Sequence, residues 1–365
     1  MKTGTADLPL HYGKAPAWLF QRMKKLAREI TIFIISEFGP EEMLNKLADP
    51  CWFQSLGCVL GFDWHSSGLT TTVCGSLKEG IKGLEKDSGL FVAGGKGRVS
   101  RKTPSEIESF SDAISIDPQK LVYASKMSAK VDSAALQDGF QLYHHCFFFT
   151  KDGSWSVVQQ GMNETNRYAR RYHWLGEEVE DFVNEPHHAI CCDTKTTTLN
   201  MVASESAGAR EVSVALSKEK PDFLLREIKK VQNIHLPPHH QVLVKDINPD
   251  RLEGIFLKTY ESQPQSFENL LGLKGIGPKT IRALSLISEL VYGAPVSFKD
   301  PVRYSFAHGG KDGFPYPVDR ENYDRSIDIL RKAIAQAKIG QTEKVKAIQR
   351  LGVVYQDNVR GDLKK

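Results

Sequence analysis

The sequence predicts an α+β protein, in which a mixed N-terminal domain with a buried antiparallel hairpin precedes an α-helical C-terminal domain. Three features indicate this: a helix-periodic apolar pattern near the N-terminus, an aromatic hairpin in the middle, and two helices joined by a glycine-containing turn near the C-terminus. The chain has 365 residues, 41% hydrophobic and 25% charged, as is typical of a globular protein with two or three domains. We expect domains at residues 1–190 and 218–365, joined by a linker at 191–217.

The first element is a long amphipathic helix, predicted over residues 15–38. Its apolar residues recur at helical spacing, and Gly39-Pro40 ends it. A second, short helix is expected over residues 41–48. The apolar stretch 30–38 contains polar and acidic residues and falls short of the roughly 20 apolar residues that a membrane span needs. Because no apolar segment with a cleavage site follows the first lysine, we also expect no secretory signal and a cytoplasmic location.

A β-hairpin is predicted from two runs of aromatic and β-branched residues, 140–150 and 154–160. These runs flank Asp152-Gly153, a pair that indicates a two-residue type I′ turn. In the register of such a turn, His145 lies opposite Gln160. Because both faces of this ribbon are largely apolar, we expect it inside a sheet that is covered on both sides.

Two segments are predicted to be irregular. Residues 93–98 are rich in glycine and basic residues and are expected to form a flexible loop, whereas residues 193–210 are rich in small residues and are expected to be a loop or linker. Helices are then expected from residue 221 to about 232 and over residues 250–260.

Positive charge is concentrated toward the C-terminus. Residues 274–350 contain 14 Lys/Arg and 8 Asp/Glu, a surplus of six, whereas the whole chain has a net charge of +4 and the remainder therefore −2. This asymmetry favours contact with a polyanion. A solvated basic face is the alternative.

Residues 270–283 resemble a helix-hairpin-helix DNA-binding motif, which we place at about 265–290. Gly275 and Gly277 let backbone N–H groups approach a phosphate, and Pro278 begins a second helix whose dipole adds positive potential. The residues expected to bind DNA are Lys274, Gly275, Gly277, Lys279, Thr280 and Arg282. Such contacts recognise the backbone, so we expect salt-dependent binding with weak sequence specificity. An ordinary helical hairpin with glycine caps is the alternative.

Two groups of polar residues indicate a candidate active site. Asp63 and His65 lie two residues apart, which places them on one side of an extended segment and suits metal ligation or a base with its orienting group. Asp132 and Asp138 precede the strand that carries His145. A buried strand retains polar residues only where they are paired or used. For Asp63 and His65, the alternative is local hydrogen bonding within a turn. For the group that precedes and includes His145, the alternative is structural hydrogen bonding.

Weaker signals come from His11 and Lys14 before the first helix and from the glycine-rich loop 308–316, to which no role is assigned. The six cysteines lack C-x-x-C spacing and are expected to be buried thiols rather than zinc ligands.

Five segments carry a resemblance to a known family: 4–11, 61–71, 141–145, 159–163 and 308–319. They look like a family of archaeal and thermophilic-bacterial proteins known as a domain of unknown function. The resemblance implies a setting in DNA metabolism and supplies no catalytic residues. The hairpin is also similar to that of helix-hairpin-helix DNA glycosylases, in which Lys279 matches a lysine after the last glycine. Pro317-Val318-Asp319 matches their Pro-x-Asp element at about twice the usual gap.

The leading hypothesis is a DNA-binding protein that acts as a metal-dependent nuclease in DNA repair or processing. Asp63 with Asp132 or Asp138 would hold Mg²⁺ or Mn²⁺, and His65 or His145 would act as base or ligand. The alternatives are a non-catalytic DNA-binding or adaptor protein and a DNA glycosylase/lyase. The expected partner is duplex or junction DNA, with no membrane, and a homo-oligomer stays open.

Overall fold

The protein is built on a five-stranded antiparallel sheet with helices on both faces, an α+β fold as predicted. The structure, a computed structural model, describes residues 15–62, 66–192, 194–232, 249–302 and 320–362. Within these ranges, no helix combines the length and the apolar character needed to cross a bilayer.

The chain begins with helices and then enters the sheet. The first helices are α1 (Ala17–Phe38), α2 (Pro40–Ala48), α3 (Pro50–Leu60), α4 (Gly68–Ile81) and α5 (Glu85–Ser88). The central elements are β1 (Leu90–Lys96), a 3₁₀ helix (Gly97–Lys102), α6 (Thr103–Glu108), α7 (Pro118–Lys130), a π-helical turn (Val131–Ala135), β2 (Leu136–Gln137), β3 (Gln141–Thr150), β4 (Trp155–Asn163), β5 (Tyr168–Leu175), β6 (Ala189–Cys191) and β7 (Leu199–Asn200). The predicted helices over residues 15–38 and 41–48 are thus confirmed as α1 and α2.

The remaining elements are helical. They are α8 (Ala207–Ser217), α9 (Pro221–Gln232), α10 (Pro249–Ser262), α11 (Phe267–Gly272), α12 (Pro278–Leu290), α13 (Arg320–Gln336) and α14 (Gln341–Asp362). The helices predicted over residues 221–232 and 250–260 are confirmed as α9 and α10.

Each face of the sheet packs on its own hydrophobic core. The sheet has the order β1-β3-β4-β5-β6. On one face, Phe147 and Trp174 pack with α7 and helices α8 to α12. On the other, Phe148 and Val158 pack with helices α1 to α4, α13 and α14. The first core includes residues from both sides of the predicted linker, and the division into domains stays a prediction.

The turn between β3 and β4 differs from the predicted type I′ turn. The backbone N–H of Thr150 donates to the carbonyl of Ser154 at 2.9 Å, which leaves the three residues 151–153 in the loop. Gly153 has φ +96°, the left-handed conformation that follows a type I turn in three-residue hairpin loops. The turn therefore contains one residue more than predicted.

This extra residue corrects the predicted register. His145 lies opposite Gln159, whereas Gln160 lies opposite His144. Side chains alternate between the two faces of a strand. A shift of one residue in the pairing therefore changes which side chains of β4 share a face with each side chain of β3. Phe147 consequently lies opposite Val157, and both belong to the same core.

The two segments predicted to be irregular are partly regular. Residues 93–96 complete β1, and the 3₁₀ helix follows directly. The predicted loop 193–210 contains β7 and the beginning of α8. Strand β1 includes Gly94, whose backbone lies very close to β3. A Cβ at this position would be 2.3 Å from the carbonyl oxygen of His145, so the close approach requires glycine.

Replacement of Gly94 tests this close approach. Gly94 has φ +90°, and its Cβ would also lie 2.6 Å from Oγ1 of Thr103. We expect Gly94→Ala to lower the free energy of unfolding by about 3 kcal/mol or more, from strain and overlap together. Gly208→Ala is the control, because a Cβ at Gly208 meets no heavy atom within 4 Å. Urea denaturation measures both, and equal stabilities would contradict the close approach.

Candidate functional site: a glycine hairpin beside a polar relay

The predicted hairpin consists of α11, the loop 273–277 and α12. Ser266 caps α11, since its hydroxyl accepts the N–H of Asn269 at 3.1 Å. Within the loop, Ile276 is buried in the core, whereas a Cβ at Gly275 or at Gly277 would meet no heavy atom within 4 Å. Gly275 has φ +102°, a conformation that favours glycine. The loop is thus anchored at its centre and open on either side.

The six residues predicted to bind DNA differ in exposure. Lys274, Gly275 and Lys279 are exposed, and Gly277 is half-buried. Thr280 is buried, and Arg282 is half-buried and donates from Nε to Oε1 of Gln137 at 2.8 Å.

The hairpin is attached to the segment that joins α7 to β2. Nζ of Lys130, the last residue of α7, donates to the carbonyl of Ile276. Nε2 of Gln137 donates to the carbonyl of Pro278 at 2.9 Å. Burial lowers the pKa of Lys130. These bonds position the hairpin relative to the π-helical turn that carries Asp132.

Asp132 is a buried acceptor for three side chains. One carboxylate oxygen accepts from Nε2 of Gln159 at 2.6 Å and from Nε1 of Trp174 at 3.0 Å, and the other oxygen contacts Nε2 of His187. The carboxylate is therefore held by groups from β4, β5 and the segment before β6.

From Gln159 the hydrogen bonds continue to α7. Oε1 of Gln159 lies 2.9 Å from Nδ1 of His145, and Nε2 of His145 lies 2.9 Å from Oγ of Ser125. We call this chain of four side chains, Ser125, His145, Gln159 and Asp132, the polar relay. All four are buried. The relay crosses from α7 over β3 and β4 to the π-helical turn.

A groove with a cavity volume of about 420 Å³ opens at the α7 end of the polar relay. Six of the residues lining it are Arg101, Ser125, Lys126, Tyr143, His145 and Gln159. None of the described residues in this lining is Asp or Glu. Arg101 and Lys126 are exposed, so the groove has a basic rim.

Asp138 lies in a separate network. Its carboxylate pairs with buried Arg170 at 3.0 Å and accepts the hydroxyl of Tyr172 at 2.7 Å and the N–H of Phe140 at 3.0 Å. Arg170 also pairs with Asp300 at 2.7 Å. The structure thus brings Asp132 and His145 into one relay and places Asp138 in an ion-pair network.

The other predicted site residues lie outside the described part of the chain. Asp63 and His65 are among them, as are His11, Lys14 and the loop 308–316. Among the residues that the structure does describe, no group of three or more His, Cys, Asp or Glu side chains is arranged to hold a metal ion. The metal ligands therefore stay a prediction.

The sequence alone did not predict that Ser125, Gln159 and His187 form hydrogen bonds with His145 or Asp132. Adjacent glutamines at 159 and 160 in an otherwise apolar strand were an available signal, because a buried amide requires partners. Ser125 gave no signal, since a serine on the buried face of a helix is common and its partner is 20 residues away.

A second polar network occupies the opposite face of the sheet. Nε of Arg171 donates to Oγ1 of Thr70 at 2.8 Å, and the hydroxyl of Thr70 donates to Oε1 of Gln160. A terminal nitrogen of Arg171 donates to Oε1 of Gln54 at 2.8 Å. Burial lowers the pKa of Arg171 to about 10.

One protein family matches most of the chain. The model of a family described as protein of unknown function (DUF763) matches residues 4–318. This match confirms the resemblance to a family of unknown function. No curated protein and no solved structure matches the chain.

The buried His144 makes the stability of the fold dependent on pH. Burial, with smaller effects from His145 and Lys96, lowers the pKa of His144 from 6.5 to about 3. Below pH 6.5 the unfolded chain gains a proton that the folded chain does not, so stability falls by about 1.4 kcal/mol per pH unit. We expect His144→Leu to remove this contribution. Urea denaturation between pH 7 and 4 measures it, and equal slopes in both proteins would contradict the assignment.

Proposed function

We propose that this chain, which belongs to the DUF763 family, binds the sugar–phosphate backbone of DNA through the loop 273–277 and the first turn of α12. The open, positively charged surface of this loop supports the proposal. Gly275 and Gly277 have open space beside them, and Lys274 and Lys279 are exposed on either side. Backbone N–H groups at a helix N-terminus together with two cations form a site for an anion such as a phosphate.

The loop is organised before any ligand arrives. Ile276 is buried between the two glycines, and its carbonyl accepts from Lys130. Elsewhere in the described ranges we find no acceptor for the N–H of Gly275 or of Gly277. A phosphate oxygen can therefore accept these N–H groups with little ordering of the loop, which favours binding.

The chemistry of these contacts determines the kind of recognition. Neither backbone N–H groups nor lysines on phosphates read the base sequence, so binding is weakly sequence-specific. Each neutralised phosphate releases counterions and contributes a slope of about −0.9 to the dependence of log K on log salt concentration. Lys274 and Lys279 together account for a slope of about −2.

Metal-dependent cleavage of the bound DNA is the second part of the predicted function and stays a prediction. Its ligands would include Asp63, which lies outside the described residues. Asp132 and Asp138 already accept from several donors each. A DNA-binding or adaptor protein without catalytic activity accounts for the hairpin equally well.

The double variant Lys274→Gln/Lys279→Gln tests the hairpin. We expect its Kd for a labelled duplex or four-way junction to rise by about 10-fold or more, and its salt slope to fall by about 2. Fluorescence anisotropy over a salt series measures both. The control, Lys86→Gln/Lys151→Gln, removes the same charge from two exposed lysines outside the hairpin. Equal losses in the two variants, or no loss in the first, would contradict the proposal.

Cleavage assays test the metal. A metal-dependent nuclease would cut labelled duplex, flap or single-stranded DNA with Mg²⁺ or Mn²⁺, because a bound cation activates water and neutralises the leaving phosphate. Cutting that persists with EDTA or in Asp63→Ala would contradict the dependence on a metal. Absence of products under all conditions would remove the nuclease prediction and leave DNA binding without catalysis. Trapping of a covalent DNA adduct by borohydride through Lys279 would instead indicate the glycosylase/lyase.

A further inference from the structure

We propose that Ser125 is a nucleophile that attacks a phosphodiester bound in the basic groove, with His145 as its general base. For its substrate class, this inference rests on the DNA-backbone binding proposed above. Its other support is the geometry of the polar relay and the charge of the groove.

The donor and acceptor capacities of the four side chains allow one arrangement of protons along the polar relay. The carboxylate of Asp132 only accepts, so Gln159 turns its N–H toward Asp132 and its oxygen toward His145. That oxygen also only accepts, so Nδ1 of His145 carries the proton. Nε2 of the neutral ring is then an acceptor, and the hydroxyl of Ser125 donates to it. A hydroxyl, a base and an orienting group are thus aligned as nucleophilic catalysis requires.

His145 is held in the state that a base needs. Burial lowers its pKa, and the hydrogen bond to Gln159 and the charge of Asp132 oppose this effect. The ring is therefore neutral at physiological pH, with Nε2 free to take a proton from Ser125.

The groove beside Ser125 suits an anion. Its volume of about 420 Å³ lies in the range of small-molecule sites. Arg101 and Lys126 line it, and neither forms an ion pair with another residue in the described part of the chain. Nζ of Lys96 lies 5.8 Å from the ring centre of Tyr143, which also lines the groove, and adds a third cation nearby. Cations without an ion-pair partner among the described residues, in a groove whose described lining includes no Asp or Glu, favour a phosphate.

The groove and the hairpin share a structural element. Helix α7 carries Ser125 and Lys126 on the groove side, and its last residue, Lys130, bonds the hairpin at Ile276. A nucleic acid whose backbone contacts the hairpin thus binds next to the helix that supplies the nucleophile.

The reaction proceeds in two balanced steps. Oγ of Ser125 forms a bond to phosphorus while the bond from phosphorus to the leaving alcohol breaks, and the serine proton passes to Nε2 of His145 and then to the leaving oxygen. Water next attacks the phosphorus of the phosphoseryl diester, His145 takes its proton, and the bond to Oγ breaks as that proton returns to Ser125. Arg101 and Lys126 stabilise the charge on the phosphoryl oxygens during both steps.

Gln159 and Asp132 are positioning residues. An asparagine at 132 can donate to the oxygen of Gln159, which lets the glutamine amide turn and present its N–H to His145. The histidine proton then moves to Nε2, and Ser125 loses its acceptor. We expect Asp132→Asn to lower the rate about 100-fold or more.

The probe is bis(4-nitrophenyl) phosphate, a phosphodiester anion that releases coloured 4-nitrophenolate. We expect the full-length protein to release it and to carry a 4-nitrophenyl phosphate group on Ser125 in quenched samples analysed by mass spectrometry. Ser125→Ala should lower the rate about 100-fold or more. The matched control is Ser128→Ala, one turn along α7, whose buried hydroxyl donates to the carbonyl of Ser125 at 3.1 Å. It should keep the wild-type rate.

The split between kcat and KM separates a positioning role from a structural one. Asp132 reaches His145 through Gln159 and does not line the groove, so we expect Asp132→Asn to lower kcat and to leave KM for the diester unchanged. An unchanged kcat, or a loss that lies only in KM, would overturn the role of Asp132. An unchanged rate in Ser125→Ala, or no release by the wild type at any pH, would overturn the nucleophile.

The outcome is independent of the hairpin test. Lys274→Gln/Lys279→Gln tests DNA affinity and should raise the Kd for DNA, whereas Ser125→Ala tests diester cleavage and should abolish the release of 4-nitrophenolate. Diester cleavage with no effect of the hairpin variant on DNA affinity would overturn DNA-backbone binding alone. DNA binding without diester cleavage would overturn the nucleophile alone.

Discussion

The register between β3 and β4 is the constraint on which the rest of the site depends. The three-residue loop at 151–153 places His145 opposite Gln159. Gln159 then reaches Asp132 on the same face of the sheet, and His145 reaches Ser125 on α7. With one residue fewer in the turn, the amide of Gln159 would point into the other core. His145 and Asp132 would then have no common hydrogen-bond partner.

Helices on both faces of the sheet explain why several of its buried polar residues form networks with one another. A polar group between two hydrophobic cores cannot reach water, and leaving it without a partner costs about 1–3 kcal/mol. Asp138 and Asp300 therefore both pair with Arg170, and Arg171 donates to the neutral side chains of Thr70 and Gln54 on the opposite face. The polar relay differs from these networks in one respect, since its Ser125 end lines an open groove. Burial organises all of these groups, and access to the groove makes the relay a candidate for chemistry.

The end of α7 and the turn after it connect two features that are far apart in the sequence. The segment supplies Ser125 and Asp132 to the polar relay, and through Lys130 and Gln137 it bonds the backbone of the hairpin near residue 276. Attachment of this kind keeps the hairpin loop and a candidate reactive group at a constant separation, which an enzyme of the proposed kind would require. The same arrangement also suits a binding protein, because an anchored loop loses little entropy when it meets its ligand.

Sequence alone determined the local features: the amphipathic helix α1, the aromatic hairpin, and the loop in which Gly275 and Gly277 precede the helix-starting Pro278. Helical periodicity, turn residues and glycine spacing act within a few residues and can be read directly. Sequence also singled out Asp132, Asp138 and His145 as unusual polar residues in an apolar region, but not that Asp138 pairs with Arg170 while Asp132 serves His145 through Gln159. Only the tertiary structure decided that, because partners on different strands and helices meet through the length of one turn and the packing of α7, neither of which a local pattern specifies.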